Sequence, residues 1–339
     1  MSDEESTSAA APATTSAAAD SPQKIQTAIE ALSAIVPSLS SAAASNPLSV
    51  LNHPDTYSQI STLLRHPNSG AGDNNLCRWL YDTFQTGIPQ LQLVVLRFLP
   101  VIAGVYLSRV GDRKPQAGFE AVLLALYSHE TTSRAGQAVS VTIPDLTHPS
   151  VYHESKAPIK NSATELNMAV VSPALEPHGT VRSTRRGRIV GVALELFYSK
   201  ISHMPISSKI DFCEFCKMWA GQDGDMYMHF EEEEEEEKER VVEEQNSEVK
   251  REGRVPLGWE LLQPVMMILG HCLLGPNKKE EGVFDVASDA CRCLFARVMH
   301  DVDPKAILPM RSLLRLSKRA LTNDDDDPTE LPFSDVISI

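Results

Sequence analysis

Leu91-Gln92-Leu93-Val94-Val95-Leu96-Arg97-Phe98-Leu99-Pro100-Val101-Ile102-Ala103-Gly104-Val105-Tyr106-Leu107 is almost wholly apolar, yet it carries Arg97 and Pro100 at its centre. A bilayer-spanning helix needs about 20 apolar residues, and an arginine at mid-bilayer costs at least ~2.5 kcal/mol. The reading that fits is a buried helix, kinked where Pro100 removes a backbone donor, whose Arg97 snorkels to a rim of a helical stack. A chain organised around such a segment is expected to be a packing scaffold.

The rest of the chain agrees. Its 339 residues are 42% hydrophobic, enough for a real core. The formal charge of −14 is concentrated: residues 1–22, 231–254 and 324–327 carry −4, −7 and −4, which leaves about +1 for everything else. A near-neutral body is no electrostatic attractor for DNA or RNA. The first cation is Lys24 and no apolar leader precedes it, Ser2 stands where myristoylation needs Gly, and the final residues lack a prenylation Cys. The expectation is a cytosolic chain without a transmembrane segment or lipid anchor, its six cysteines reduced and mostly buried.

Five regions follow from composition. Residues 1–22, rich in Ala, Ser and Thr, read as a disordered tail; 23–222 as the first part of a helical domain; 223–254 as an acidic insertion; 255–321 as its last part; and 322–339 as an acidic tail. Helical spacing starts at Pro22 with Ile25, Ile29, Leu32 and Ile35 and recurs from about Pro54 to Arg65. The next helix has Asp73 as candidate N-cap, Leu76, Trp79, Leu80 and Phe84 as its stripe, and Gly87 past its end. Helices are also expected from about Pro115 to His129, from Ile189 to near Pro205, through Ile210 to Trp219, and at about Gly258–Leu274, Phe284–His300 and Pro304–Leu321. A lone strand, Ala138 to Ile143 closed by Pro144, is expected to lie as an extended segment across helices, before an irregular Pro-rich stretch to about Arg182. There is no 34-residue self-similarity. The fold class is therefore all-α: an irregular multi-helix stack, α-solenoid-like or an elongated bundle, with one long Pro-rich connection.

Sites for chemistry are scarce. Gly70-Ala71-Gly72 lacks the lysine of a phosphate loop and reads as a turn before an N-cap. Cys213-Glu214-Phe215-Cys216 has a zinc-pair gap, but inside a helical pattern both thiols fall on one buried face, and Cys291-Arg292-Cys293 has the wrong spacing for a partner pair. His129-Glu130 and His153-Glu154 lack the second histidine of a zinc helix, and no nucleophile elbow occurs. No catalytic residue, cofactor or metal is expected. Arg182, Arg185, Arg186 and Arg188 form a basic cluster, a candidate contact for anionic lipid headgroups.

Specific strings carry further information. Leu96-Arg97-Phe98-Leu99-Pro100 with Tyr106-Leu107, then Glu120-Ala121, Leu123-Leu124 and Tyr127 to Glu130, and above all Thr142-Ile143-Pro144-Asp145-Leu146-Thr147-His148-Pro149-Ser150-Val151-Tyr152-His153-Glu154, resemble the hyccin family. Pro173-Ala174-Leu175, His178-Gly179 and His203-Met204-Pro205 extend the likeness, which spans roughly residues 55 to 321. The resemblance implies an all-helical, non-enzymatic accessory subunit. Its implied partners are a tetratricopeptide-type scaffold protein, phosphatidylinositol 4-kinase type III alpha and, indirectly, a lipidated plasma-membrane anchor protein. The implied location is the cytosol and, through partners, the cytoplasmic face of the plasma membrane, in support of phosphatidylinositol 4-phosphate synthesis. The Glu-rich insertion departs from the family pattern, and a short acidic end replaces the long Ser-rich tail of animal members, so functions of that tail do not transfer.

The leading expectation is thus a stabilising subunit that lays an apolar surface on a helical-repeat scaffold. The alternative is a peripheral lipid-binding module using Arg182 to Arg188. A third reading, a hydrolase, requires His148, His153 and Glu154 to converge.

Overall fold

The computed structural model describes residues 16–36, 53–112, 114–144, 166–177, 181–182, 184–226, 253–275 and 282–322. Along them run helices α1 (Ser16–Ile35), α2 (Pro54–Arg65), α3 (Asn75–Gln85), α4 (Pro89–Leu96), α5 (Leu99–Ser108) and α6 (Ala117–Ser133), strands β1 (Val139–Pro144) and β2 (Leu166–Ser172), then helices α7 (Arg186–Ser199), α8 (Ile206–Ala220), α9 (Trp259–Leu274), α10 (Val283–His300) and α11 (Pro304–Thr322). The fold is an all-α multi-helix stack with a small two-stranded sheet, and its buried apolar side chains form one contiguous core from α1 to α11.

The apolar stretch sits at the centre and is broken, not merely bent. Helix α4 ends at Leu96, Phe98 caps α5, and Pro100 occupies its first turn, where a missing N–H is tolerated. The Arg97 carbonyl accepts a hydrogen bond of 2.6 Å from the Ser208 hydroxyl of α8, so the break leaves it satisfied. Pro89–Ser108 has the length and composition of a membrane span, but its most apolar window is 83% buried inside the protein, as a core helix is. Arg97 does not reach a rim. It is 4% exposed, with its guanidinium 4.9 Å from the Tyr57 ring centroid and 5.5 Å from that of Phe98. Two aromatic faces receive the cation where the expected route was through its own aliphatic stem.

Helix α5 packs on α7 and α8 around this break, with α6 and α9 on α7, α10 on α8 and α9, and α11 on α9 and α10; α1 and α2 cover α3 and α5. Two crossings are close enough to exclude any side chain. A Cβ at Gly104 of α5 would stand 2.2 Å from the Phe215 ring of α8, and one at Gly191 of α7 would stand 2.2 Å from the Glu260 carbonyl oxygen at the start of α9.

Several boundaries differ from the sequence reading. Helix α1 begins at Ser16, six residues before the Pro22 at which its apolar spacing starts, because the run of alanines favours helix without contributing a stripe. The cap of α3 is Asn74, not Asp73: Asn74 holds the extended conformation a cap requires, and its side chain accepts from the Cys77 N–H at 3.0 Å. The strand is not alone. β1 pairs antiparallel with β2, with Val141 opposite Ala169 and Thr142 opposite Met168.

Candidate interaction surfaces

Among the described residues, the ribbon β1–β2 places five large apolar side chains outward in a group. On β1, Val139, Val141 and Ile143 are 37%, 45% and 47% exposed, and on β2 Met168 and Val170 are 75% and 59% exposed. The register puts Val141 and Ile143 on one face and Met168 and Val170 on the other, so neither face is a polar, solvent-facing one. A lone two-stranded ribbon is marginal in water, and the base of this one is tied down. Arg134, at the end of α6, pairs with Glu130 and Glu195 and donates to the Ser172 hydroxyl at 2.8 Å, while that hydroxyl donates to Glu195 at 2.7 Å. Gln263 of α9 donates to the Val171 carbonyl, the Leu175 N–H to the Gly136 carbonyl at 2.9 Å, and the Glu176 N–H to the Tyr127 hydroxyl at 3.2 Å. The ribbon is thus rigid where it leaves α6, α7 and α9 and apolar where it extends beyond them.

The residues of the family-like strings separate into two groups. Phe98, Leu99, Pro100 and Tyr106 are buried at the helix break, Phe98 stacked on Tyr57 at 5.2 Å. Tyr106 donates to Glu120 at 3.0 Å and accepts from Arg186 at 3.0 Å; burial, then the Glu120 bond, pushes its hydroxyl up to about 12. Thr142, Ile143 and Pro144 form the end of β1. Pro149, Ser150, Val151, Tyr152, His153 and Glu154 lie outside the described residues, as do His148 and His178, so the hydrolase reading has no geometry within them.

The basic cluster is drawn inward. Arg188 is buried and donates to the Pro173 carbonyl at 3.0 Å, Arg185 pairs with Glu176, and Arg186 joins Tyr106 and Glu120; Arg182 is exposed. The four arginines, adjacent in sequence, do not form one outward face.

Four cysteines converge in the core between α8, α9 and α10. A hydrogen bond with Cys272 and burial hold the Cys213 thiol well above its ordinary pKa, and burial followed by Cys272 and Cys291 does the same for Cys216. Metal ligation needs thiolates, and among the described residues no group of three or more His, Cys, Asp or Glu side chains is arranged to hold an ion.

A groove of about 510 Å³ runs between α1 and α3, floored by Ala28, Ala31 and Trp79 and rimmed by Lys24, Arg78 and Asp82. The Trp79 indole N–H donates to the Ala28 carbonyl at 2.8 Å and fixes the floor. Sequence reading missed β2 because Leu166 to Ser172 follows a Pro-rich stretch and lacks alternation; its run of Ala169, Val170 and Val171 was the signal available. In comparison with known families, a model described as Hyccin matches residues 41–334.

Proposed function

The chain belongs to the hyccin family, and on that premise we propose that it is a non-catalytic accessory subunit of the phosphatidylinositol 4-kinase type III alpha complex. In this reading it binds a tetratricopeptide-type scaffold, helps bring the kinase to the cytoplasmic face of the plasma membrane through a lipidated anchor protein, and so supports phosphatidylinositol 4-phosphate synthesis. The domain organisation proposed is a helical body of residues 23–222 and 255–321, interrupted by the acidic segment 223–254, with tails at 1–22, whose last seven residues are already the start of α1, and at 322–339.

The observation that supports it is the ribbon. Five apolar side chains on its two faces are more than a third exposed, and fully burying one such side chain contributes about 1.5–3 kcal/mol. A two-faced apolar ribbon gains most by entering a cleft that covers both sides at once, and a helical-repeat scaffold offers clefts between its repeats. The residues of the β1 end, Thr142 and Ile143, belong to the string by which the chain resembles its family.

Affinity purification of the full tagged chain followed by mass spectrometry tests the reading. A stoichiometric helical-repeat protein together with a lipid kinase catalytic subunit is expected, and a chain produced alone is expected to aggregate. Recovery of the chain monodisperse and without any companion overturns it.

A further inference from the structure

The two edges of the ribbon are not alike. On β2 a bulge opposite Val139 and Ser140 leaves Val171 as the extra residue, and Gln263 of α9 donates to its carbonyl. Bulges and covering groups are devices that keep a strand edge from pairing with another chain. β1 has neither. From Ala135 to Pro144 the chain carries no charged residue, its only proline there is the last residue, and Gln137 to Ile143 are all exposed. Among the described residues, the backbone hydrogen bonds of β1 run to β2 alone.

The order of side chains on β1 adds a symmetry. Val139-Ser140-Val141-Thr142-Ile143 reads the same in both directions by chemical class, β-branched aliphatic alternating with hydroxyl, with Val141 at its centre. An antiparallel pair of such strands centred on Val141 sets Val139 opposite Ile143, Ser140 opposite Thr142 and Val141 opposite itself. Residues directly opposite share a face, and like pairs of β-branched and of hydroxyl side chains pack and hydrogen-bond across it. A strand of another sequence meets that pattern only by chance, whereas a second copy meets it by necessity. In sequence, Asp145 mirrors Gln137 about the same centre, so the symmetry does not oppose two acids.

We propose that β1 is a self-association edge: two copies of the chain pair β1 to β1, antiparallel about a twofold axis at Val141, into a four-stranded sheet ordered β2–β1–β1–β2. The contact is isologous, and it supplies what a two-stranded ribbon lacks, since three or more strands are needed for independent stability. Five residues a side bury far less than the roughly 1,200 Å² of a stable interface, so the pair forms and separates quickly and has to be trapped to be seen. The inference rests on the edge of β1 and not on the scaffold reading, which uses the faces of the ribbon.

The test is disulfide trapping between full-length chains that carry two different tags, produced together and oxidised mildly in the lysate with copper phenanthroline. Five of the six native cysteines are buried, and the unaltered chain sets the background. Val141→Cys is expected to link the two tagged chains several-fold above it. Val139→Cys in both chains is not, because the axis holds those two positions about 13 Å apart, whereas Val139→Cys in one chain with Ile143→Cys in the other should link as well as Val141→Cys. Adding Ser140→Lys and Thr142→Lys to Val141→Cys sets like charges opposite one another twice and should cut linkage about tenfold. The melting temperature of that variant, as purified, should match that of Val141→Cys, since both added sites are exposed. The proposal is overturned if Val141→Cys does not exceed the background, if Val139→Cys links to itself as readily, which would mean parallel, in-register stacking, or if the lysine pair leaves linkage unchanged. Recovery of the scaffold partner is read from the same lysates. A chain that keeps its companion but shows no linkage overturns the pairing alone, and linkage without any companion overturns the scaffold reading alone.

Discussion

Helix α5 and the β1–β2 ribbon are written in the same residues and end in opposite environments. In α5, Val101, Ile102 and Val105 are buried between α2, α7 and α8; in the ribbon, Val139, Val141, Ile143 and Val170 stand outward. The helix has spent its apolar surface on its own fold, and the ribbon has not. Sequence composition cannot make that distinction, because a β-branched apolar residue favours burial whichever molecule provides it. The place of a residue in the assembly, not its type, decides whether its removal is felt as instability or as loss of a companion.

The sharpest test of the helix side of that contrast is Phe98→Ala, which removes the ring stacked on Tyr57 and lying under the Arg97 guanidinium. It is expected to cost about 3–5 kcal/mol in a denaturant titration. Gly104→Ala comes next, at about 1–3 kcal/mol from overpacking against Phe215; a variant as stable as the parent would mean that α5 and α8 are free to separate. The ribbon side calls for the reverse result. Val141→Ser with Met168→Ser should leave stability within about 0.5 kcal/mol of the parent while abolishing recovery of the scaffold partner, and a large fall in melting temperature with the partner retained would break the comparison.

The smallest effect is expected at the end of α10. Burial raises the pKa of the Asp301 carboxyl, but hydrogen bonds from Arg297 and His300 and the charges of Arg297 and Arg254 outweigh it and hold the native value below the ordinary one. A depressed native pKa stabilises the fold at pH above the unfolded value of about 3.9, and that contribution is lost as pH falls through the native value. The stability gap between the parent and Asp301→Asn, measured across pH 6 to 2.5, should therefore narrow towards the acid end.

Much of the fold was legible because helical spacing reports burial, and burial is what organised it: Trp259–Leu274, Val283–His300 and Pro304–Thr322 all lie within a residue or two of their apolar periodicity. The features that escaped are those that burial does not pattern. β2 has no alternation since both ribbon faces are exposed. Asn74 displaced Asp73 because two good capping residues sit side by side and only the path of the preceding turn chooses between them. Arg97 found two aromatic faces, one of them Tyr57 from a helix 40 residues earlier, which no local window contains. The basic cluster before α7 looked like a surface in sequence, whereas in space its carboxylate partners Glu120 and Glu176 arrive from other elements.

The fastening at the root of the ribbon also has a mechanical meaning. A strand pair about 20 Å long, clamped at one end by Arg134, Glu195 and Gln263, behaves as a lever about that end. A load applied near Ile143 is delivered as torque to the junction of α6, α7 and α9, and whatever grips the far end is held at an angle dictated by that joint.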